Sequence, residues 1–424
     1  MISTLRNAWR IPDIRKKIIF TLLMLLVIRL GANIPVPYMD KEIVNKIFEA
    51  GKGGLLQFLD LMSGGTLSNF SIFALNIYPY ITSSIIIQLL TIAIPRLEEL
   101  AKEGEEGRKK IGRYTKYGAV ILAVIQAWGT TLGLFSNALV ADTAIQKAIV
   151  IISLVAGTSF MVWIGDLITE RGVGNGISLI IFIGIVSRLP STVIQYVQLA
   201  RFGLVSWIKL ILLAIVAVVI VLLVVALQEG ERKIPVQYAK RVVGRKMYGG
   251  QSTHIPLKVS MAGVIPVIFA SSLLSFPQTI ALFFTGETPK WIEKYLTVQG
   301  DVGIWVYSIL NVILILLFTY FYTAIQFNTV EYAKNLQQYG GFIPGIRPGR
   351  PTSDYLNKVV SRITFVGGIS LALLASLPII LSHLFKLNIN FGGTAIIIVV
   401  GVALETVKQI ESQLLMRNYK GFLK

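Results

Sequence analysis

The sequence predicts an all-α polytopic membrane protein of ten transmembrane helices in two five-helix halves, and three observations carry that expectation. Of its 424 residues, 54% are hydrophobic and only 15% are charged, where a soluble chain carries about 25% charge. Ten apolar runs approach the roughly 20 residues that a helix needs to cross the bilayer core. The basic residues gather on one side of those runs.

The runs cover about 18–34, 70–94, 118–135, 148–168, 177–190, 205–227, 259–284, 304–325, 363–385 and 391–406. The first follows Arg15-Lys16-Lys17 and has no small-residue cleavage site, so it reads as a retained span rather than a removed signal. Arg29 inside it is costly against lipid, which predicts that it snorkels or faces protein. The fifth is short and borrows flanking residues. Five spans per half give the halves opposite orientations, the pattern of inverted repeats. The halves expected are 1–203 and 204–424.

The net charge of +18 follows the topology. Segments 1–17, 95–117, 166–176, 228–258, 327–362 and 405–424 hold 29 of the 40 Lys and Arg and 14 of the 22 Asp and Glu. The segments on the other side hold 9 basic and 8 acidic residues. The positive-inside rule places the first set, and with it both termini, in the cytosol. That topology accounts for most of the basic excess without nucleic acid.

The second run is interrupted. Pro79 lies mid-span, between Asn76 and the polar Thr82-Ser83-Ser84. Proline removes a donor and clashes with the preceding turn. A break at membrane depth survives only where protein or a water-filled cavity satisfies the freed backbone groups. The expectation is a half-helix before Pro79, about 57–70, and a span after it.

Two cytosolic loops are too patterned to be plain connectors. In 228–258, Ile234, Val236 and Tyr238 alternate, and Val243-Gly244 suits a turn, which predicts a protruding basic β-hairpin. In 327–362, prolines 344, 348 and 351 hold Arg347 and Arg350 on a stiff, exposed stretch.

Catalytic chemistry has no foothold. The chain has no cysteine, which excludes disulfides and thiolate chemistry. It has two histidines, His254 and His383, far apart in sequence. No nucleophile elbow, zinc-protease or Walker A pattern occurs. The expectation is a protein that is not an enzyme and has no cofactor or metal. Asp166, Glu170 and Glu405 sit at span ends, so ion coupling lacks an intramembrane carboxylate. Near the helix breaks stand isoleucines instead: Ile77, Ile81, Ile177, Ile181, Ile268 and Ile398. Stiff β-branched side chains can line a narrow apolar constriction. Spacing alone does not separate that role from ordinary packing.

Seven segments carry more than spacing: FSIFALNIYPYITSSIIIQLL, EGEEGRKKIGRYTKYG, ITERGVGNGISLIIF, IPVQYAKRVVGR, QSTHIPLKVSMAGVIPVIFASSLLSFP, GGFIPGIRPGRPT and FGGTAIIIVVGV. From about residue 12 to 424 the chain resembles the SecY family, the channel subunits of the bacterial protein translocase. The resemblance implies an hourglass pore whose waist is a ring of Ile77, Ile81, Ile177, Ile181, Ile268 and Ile398. It implies a plug at about 57–70, with Leu61, Leu67 and Phe70. It also implies a lateral gate between spans 70–94 and 118–135 on one side and 259–284 and 304–325 on the other. Gln88, Gln126, Ser271 and Ser272 are the polar residues expected to hold that gate. Arg347 matches the family's docking arginine for the motor ATPase SecA. Lys240, Arg241 and Arg245 match a hairpin used by SecA and the ribosome. SecE and SecG are the implied companion subunits, unfolded secretory and membrane polypeptides the substrates, and the bacterial cytoplasmic membrane the location. Asn76 departs from the family's frequent glycine, and Thr329 from its frequent proline. The competing reading is a secondary transporter for a small solute, which would need a polar site at the midplane.

Overall fold

The computed structural model describes residues 6, 8–50, 60, 63–141, 143–203, 206–238, 241–243, 246–248, 252–285, 295, 301–384 and 393–421. Helices occupy all ten expected positions. They are α1 (Pro12–Gly31), α3 (Tyr78–Ala93), α5 (Glu105–Trp128), α6 (Ala144–Arg171), α7 (Gly176–Arg201), α8 (Trp207–Glu229), α9 (Ile265–Thr285), α10 (Asp301–Gln326), α12 (Arg350–Leu384) and α13 (Gly393–Gly421). Shorter helices fill the numbering: α2 (Lys41–Ala50), α4 (Pro95–Lys102) and α11 (Thr329–Gln338). Among the described residues, six helices are long and apolar enough to cross a membrane, and the pair α3–α4, bent by 100°, adds a seventh. Helices α1, α9 and α13 lie outside that set.

Local sequence sets the ends. Thr143 and Gln146 form a capping box that opens α6. The Asn175 side chain accepts from the Ser178 N–H and opens α7, directly after the glycine-rich 172–174. Helix α7 runs on through Pro190 to Arg201, well beyond the expected end at 190. Proline is tolerated inside such a helix where neighbours re-satisfy the freed carbonyl.

Of the half-helix expected at about 57–70, residues 57–59 and 61–62 lie outside the described residues, 60 and 63 are helical, and the part from 64 on is corrected. Residues 64–77 run as successive turns. Gly64 (φ 70), Gly65 (φ 88), Phe70 (φ 40) and Asn76 (φ 52) all have positive φ, and each such residue stops right-handed helix from propagating. The span expected after Pro79 begins there: the proline stands in the first turn of α3, where its missing N–H would be unsatisfied anyway.

The exterior of the helical body is apolar. On α8, Ile208 is 77% exposed and Leu222 63% exposed, and on α1 Leu22, Leu23, Leu26 and Leu30 face outward. Apolar surface that protein does not cover is covered by lipid in a chain of this composition. Inside, one core draws Leu25 and Ile28 from α1, Met161 and Ile164 from α6, Ile220 from α8, Phe318 from α10, Leu371 from α12 and Val402 from α13. Both halves of the sequence therefore share it.

The hairpin expected in 228–258 is longer than the turn at Val243-Gly244 suggested. Strand β1 (Glu231–Tyr238) pairs antiparallel with β4 (Ser252–Lys258), and β2 (Arg241–Val243) with β3 (Lys246–Tyr248) nearer the tip. A third strand comes from the other patterned loop, 327–362: β5 (Gly341–Phe342) pairs with the end of β1, Gln237 opposite Phe342. Ile234, Val236 and Leu257 of the sheet pack with Leu336, Ile343, Leu356 and Val360. The two loops are thus one body.

Both departures from the family pattern fit the backbone. Asn76 occupies a left-handed position, which asparagine tolerates better than most residues and glycine best. Thr329 is the first residue of α11, whose cap is Asn328 with its side chain accepting from the Val330 and Glu331 N–H groups. Proline is favoured at that first helical position, and Asn328 is already extended, as the residue before a proline must be. Thr329→Pro is therefore expected to stabilise the folded chain by about 0.5 kcal/mol, checked by thermal unfolding in detergent.

Candidate functional site

The six isoleucines all belong to the large core described above. Ile77 caps the N-terminus of α3 and its carbonyl accepts from the Ile81 N–H at 3.0 Å. Helix α7 brings Ile177 and Ile181, α9 brings Ile268 and α13 brings Ile398. Ile77, Ile81, Ile181, Ile268 and Ile398 are buried in one cluster, with Ile177 partly buried against it. Gly165 of α6 makes room, since a Cβ there would stand 2.8 Å from Ile177 Cδ1. The same core also takes residues from α1, α6, α8, α10 and α12. What it can do is exclude water and ions.

The two flanks expected to part as a lateral gate are in contact. Tyr322 Oη on α10 donates to Gln88 Oε1 on α3 at 2.7 Å, across 234 residues of sequence. Gln88 Nε2 in turn donates to Ser84 Oγ at 3.2 Å. Phe269 of α9 packs edge-on against Phe318 and Tyr322 of α10, with ring centroids 5.7 and 5.3 Å apart. Helix α9 also packs on α3 and on the π-helical turn Gly129–Leu134 that continues α5. Such π turns concentrate at functional sites.

The other gate residues play different parts. Ser271 is buried, but its hydroxyl donates to the Val267 carbonyl at 2.9 Å within α9, the usual back-bond of a helical serine. It therefore does not reach across. Ser272 and Gln126 are half-buried on the expected helices, and the Gln126 carbonyl accepts from Thr130 Oγ1 at 2.7 Å. Sequence reasoning missed Tyr322. Its signal was a polar tip in an otherwise apolar span, with nothing local to name the partner.

The plug residues are placed otherwise than a seal at the waist would need. Leu61 lies outside the described residues. Leu67 and Phe70 are buried, but in a second core with Val36, Phe135, Ala138 and Leu154, where the Phe70 ring meets Phe135 edge-on at 5.1 Å. The Phe70 carbonyl accepts from the Val36 N–H. These two residues anchor the end of the segment rather than lie against the isoleucines. Among the docking residues, Arg347 is exposed in the turn between β5 and α12. Its carbonyl accepts from Thr352 Oγ1 at 2.8 Å, which fixes the turn. The backbone of Arg241 lies in β2, and Lys240 and Arg245 lie outside the described residues.

A sequence model of the SecY family matches residues 71–407, which spans the six isoleucines, helices α3 to α12 and the sheet that β1, β4 and β5 form. The chain belongs to the SecY family. Relatives named protein translocase subunit SecY align along the whole of both chains: the one from Halalkalibacterium halodurans is 46% identical, that of Streptomyces galbus 47% and that of Bacillus subtilis 46%. The fold is likewise similar to a solved protein-conducting channel, with a TM-score of 0.68 at 20% identity over 93% of this chain and 91% of that one. It is similar also to Sec61 from a canine ribosome–channel complex, with a TM-score of 0.64 at 18% identity over the same shares. SecY membership makes the chain a multi-pass membrane protein, and the shared fold is that of a channel.

If the Tyr322–Gln88 bond ties the two flanks, its loss is felt as a pair. Tyr322→Phe and Gln88→Ala should each lower stability by about 1 kcal/mol. The double substitution should cost little more than either single one, measured as a double-mutant cycle of unfolding in detergent.

Proposed function

We propose that the chain is the protein-conducting channel through which unfolded secretory polypeptides cross the bacterial cytoplasmic membrane and membrane-protein spans pass sideways into lipid. The observation that carries it is that six isoleucines from α7, α9, α13 and the start of α3 lie in one buried core, and their side chains offer nothing to a polar solute. A ring of apolar, stiff side chains packs around almost any extended sequence and leaves little room for hydrated ions. A solute carrier would need a polar midplane site in its place.

The lateral gate of this reading lies between α3 with α5 and α9 with α10, and the Gln88–Tyr322 bond is its latch. A hydrophobic signal helix enters there because its partition into lipid is favourable. The plug comprises the stretch before Leu67, with Leu67 and Phe70 as its root in the outer core. No nucleotide-binding pattern stands in the sequence, so the energy comes from SecA or the ribosome, docked on the cytosolic body that β1, β4, β5 and the Arg347 turn form together. The positive-inside rule orients that body and both termini to the cytosol. SecE and SecG complete the complex.

Because the chain has no cysteine, an introduced one is unique. With cysteine at Ile81 or Ile268, a secretory chain stalled in mid-transfer and carrying one cysteine of its own should form a disulfide with it. No crosslink at either position, with the chain confirmed engaged, would remove the ring from the pathway and reopen the carrier reading. Arg347→Glu should abolish SecA-driven transport while the folded complex is recovered at normal yield; normal transport by that variant would remove the docking assignment.

A further inference from the structure

A notch of about 460 Å³ opens where the end of α10, the start of α11 and α12 meet. Tyr320, Thr323, Asn328, Asn357, Ser361 and Thr364 supply its polar wall, and none of its lining residues is acidic. The volume falls within the range of about 300–1,000 Å³ that ligand sites occupy.

The hydroxyls that α12 turns to this notch differ from their neighbours. A serine or threonine inside a helix commonly bonds back to the carbonyl four residues earlier. Thr319 and Thr323 on α10 do so at 2.6 and 2.7 Å, and Ser370 on α12 does so at 2.8 Å. Ser361 and Thr364 do not. Among the described residues neither hydroxyl has a partner, although Thr364 is only 3% exposed. The Asn357 amide has none either. Asn328 uses its oxygen, which accepts from the Val330 and Glu331 N–H groups, and keeps its amide hydrogens free. Tyr320 Oη donates to the Ser361 carbonyl at 3.3 Å and fixes the two walls to each other. A shielded donor left without a partner is costly, so the wall suits a ligand that accepts hydrogen bonds.

Charge and depth narrow the ligand further. Lys358 and Arg362 follow Asn357 and Ser361 by one position each and share an exposed face of α12 at i and i+4. Among the described residues neither has an ion-pair partner. The acids nearest in sequence, Glu331 and Asp354, do not line the notch. One turn beyond Arg362, Phe365 and Val366 are exposed, as are Leu317 and Ile325 on α10, and such apolar surface faces lipid in a multi-pass membrane protein. The notch therefore sits where that surface gives way to basic residues, with Tyr320 at the level that tyrosine favours in a bilayer. Basic pockets between spanning helices at this depth suit lipid phosphates.

We propose that the notch between α10 and α12 holds the headgroup phosphate of an anionic membrane lipid. Asn357, Ser361 and Thr364 donate to its oxygens, Lys358 and Arg362 balance its charge at the rim, and its acyl chains lie along Leu317, Phe365 and Val366. The site needs the membrane and not the pore, so it stands or falls apart from the channel reading.

The test places the full chain in nanodiscs of equal phosphatidylglycerol and phosphatidylcholine, releases it into mild detergent and counts retained lipid by native mass spectrometry. One phosphatidylglycerol per chain should remain, favoured over phosphatidylcholine about tenfold. Replacing both cations, Lys358→Gln with Arg362→Gln, should lower its retention about thirtyfold. Thr364→Val, which keeps the shape and removes one donor, should lower it about threefold and serves if the charge variant fails to assemble. Equal retention of the two lipids, or undiminished phosphatidylglycerol in the variants, would overturn the site. Displacement of the lipid by millimolar glycerol phosphate would also overturn it, since a soluble anion would then be the ligand. Location is read separately: the chain has no cysteine, so Ala324→Cys places a unique thiol in the wall of the notch. A water-soluble maleimide should label it about fivefold more slowly in phosphatidylglycerol discs than in phosphatidylcholine discs. Equal rates would mean that the retained lipid lies elsewhere, and the assignment would fail.

Discussion

Hydrocarbon offers a peptide group no hydrogen-bond partner, and the rest of this structure follows from how one irregular stretch meets that constraint. Residues 64–77 are turns beside spanning helices. Non-helical backbone survives at such depth only inside protein. Here the Val36 N–H donates to the Phe70 carbonyl and the Ile72 N–H to the Ile34 carbonyl, while the Arg29 and Arg188 side chains reach Gly64, Asp60 and Ser68. Phe70 and Leu67 seal this layer with Phe135 and Leu154. Only once that stretch is seated can Pro79 open α3 and set Ile77 and Ile81 where the other isoleucines meet them.

Much of the fold was legible because hydropathy and helix length are local properties. Each expected span has a helix, and the alternating β1 residues Ile234, Val236 and Tyr238 announced their strand. What escaped was non-local or conformational. β5 is two residues long and exists only because β1 offers it an edge. Tyr322 and Gln88 are separated by 234 residues, and Arg188 and Asp60 by 128. Neither pair leaves a pattern at short range. The break at Pro79 was legible, and the turns that lead up to it were not, because proline interrupts a helix in its interior but favours its first turn. Which applies depends on the left-handed residues upstream, and a lone Asn76 does not declare its φ in sequence.

The site was legible in a different way. The isoleucines look like packing when judged by spacing, and packing is what the structure displays: a buried apolar cluster. The two descriptions agree physically. A constriction made of side chains without polar atoms stays dry and closes by the same van der Waals contacts that hold any core. It parts without leaving an unsatisfied donor or acceptor, so its opening is reversible at low cost and indifferent to the sequence that passes.

Indifference also means that such a cluster holds its closed state weakly and without geometry of its own. Direction-dependent bonds are made by residues other than the six isoleucines. Gln88–Tyr322 crosses between the flanks, and Asp60–Arg188 ties α7 to the stretch before α3. Hydrogen-bonded and charged groups demand specific partners and penalise separation in a low-dielectric setting. Placing them at the waist would give a translocating chain something to bind. Leaving them to other residues keeps the path itself apolar, and α7, which carries Ile177, Ile181 and Arg188, supplies both kinds.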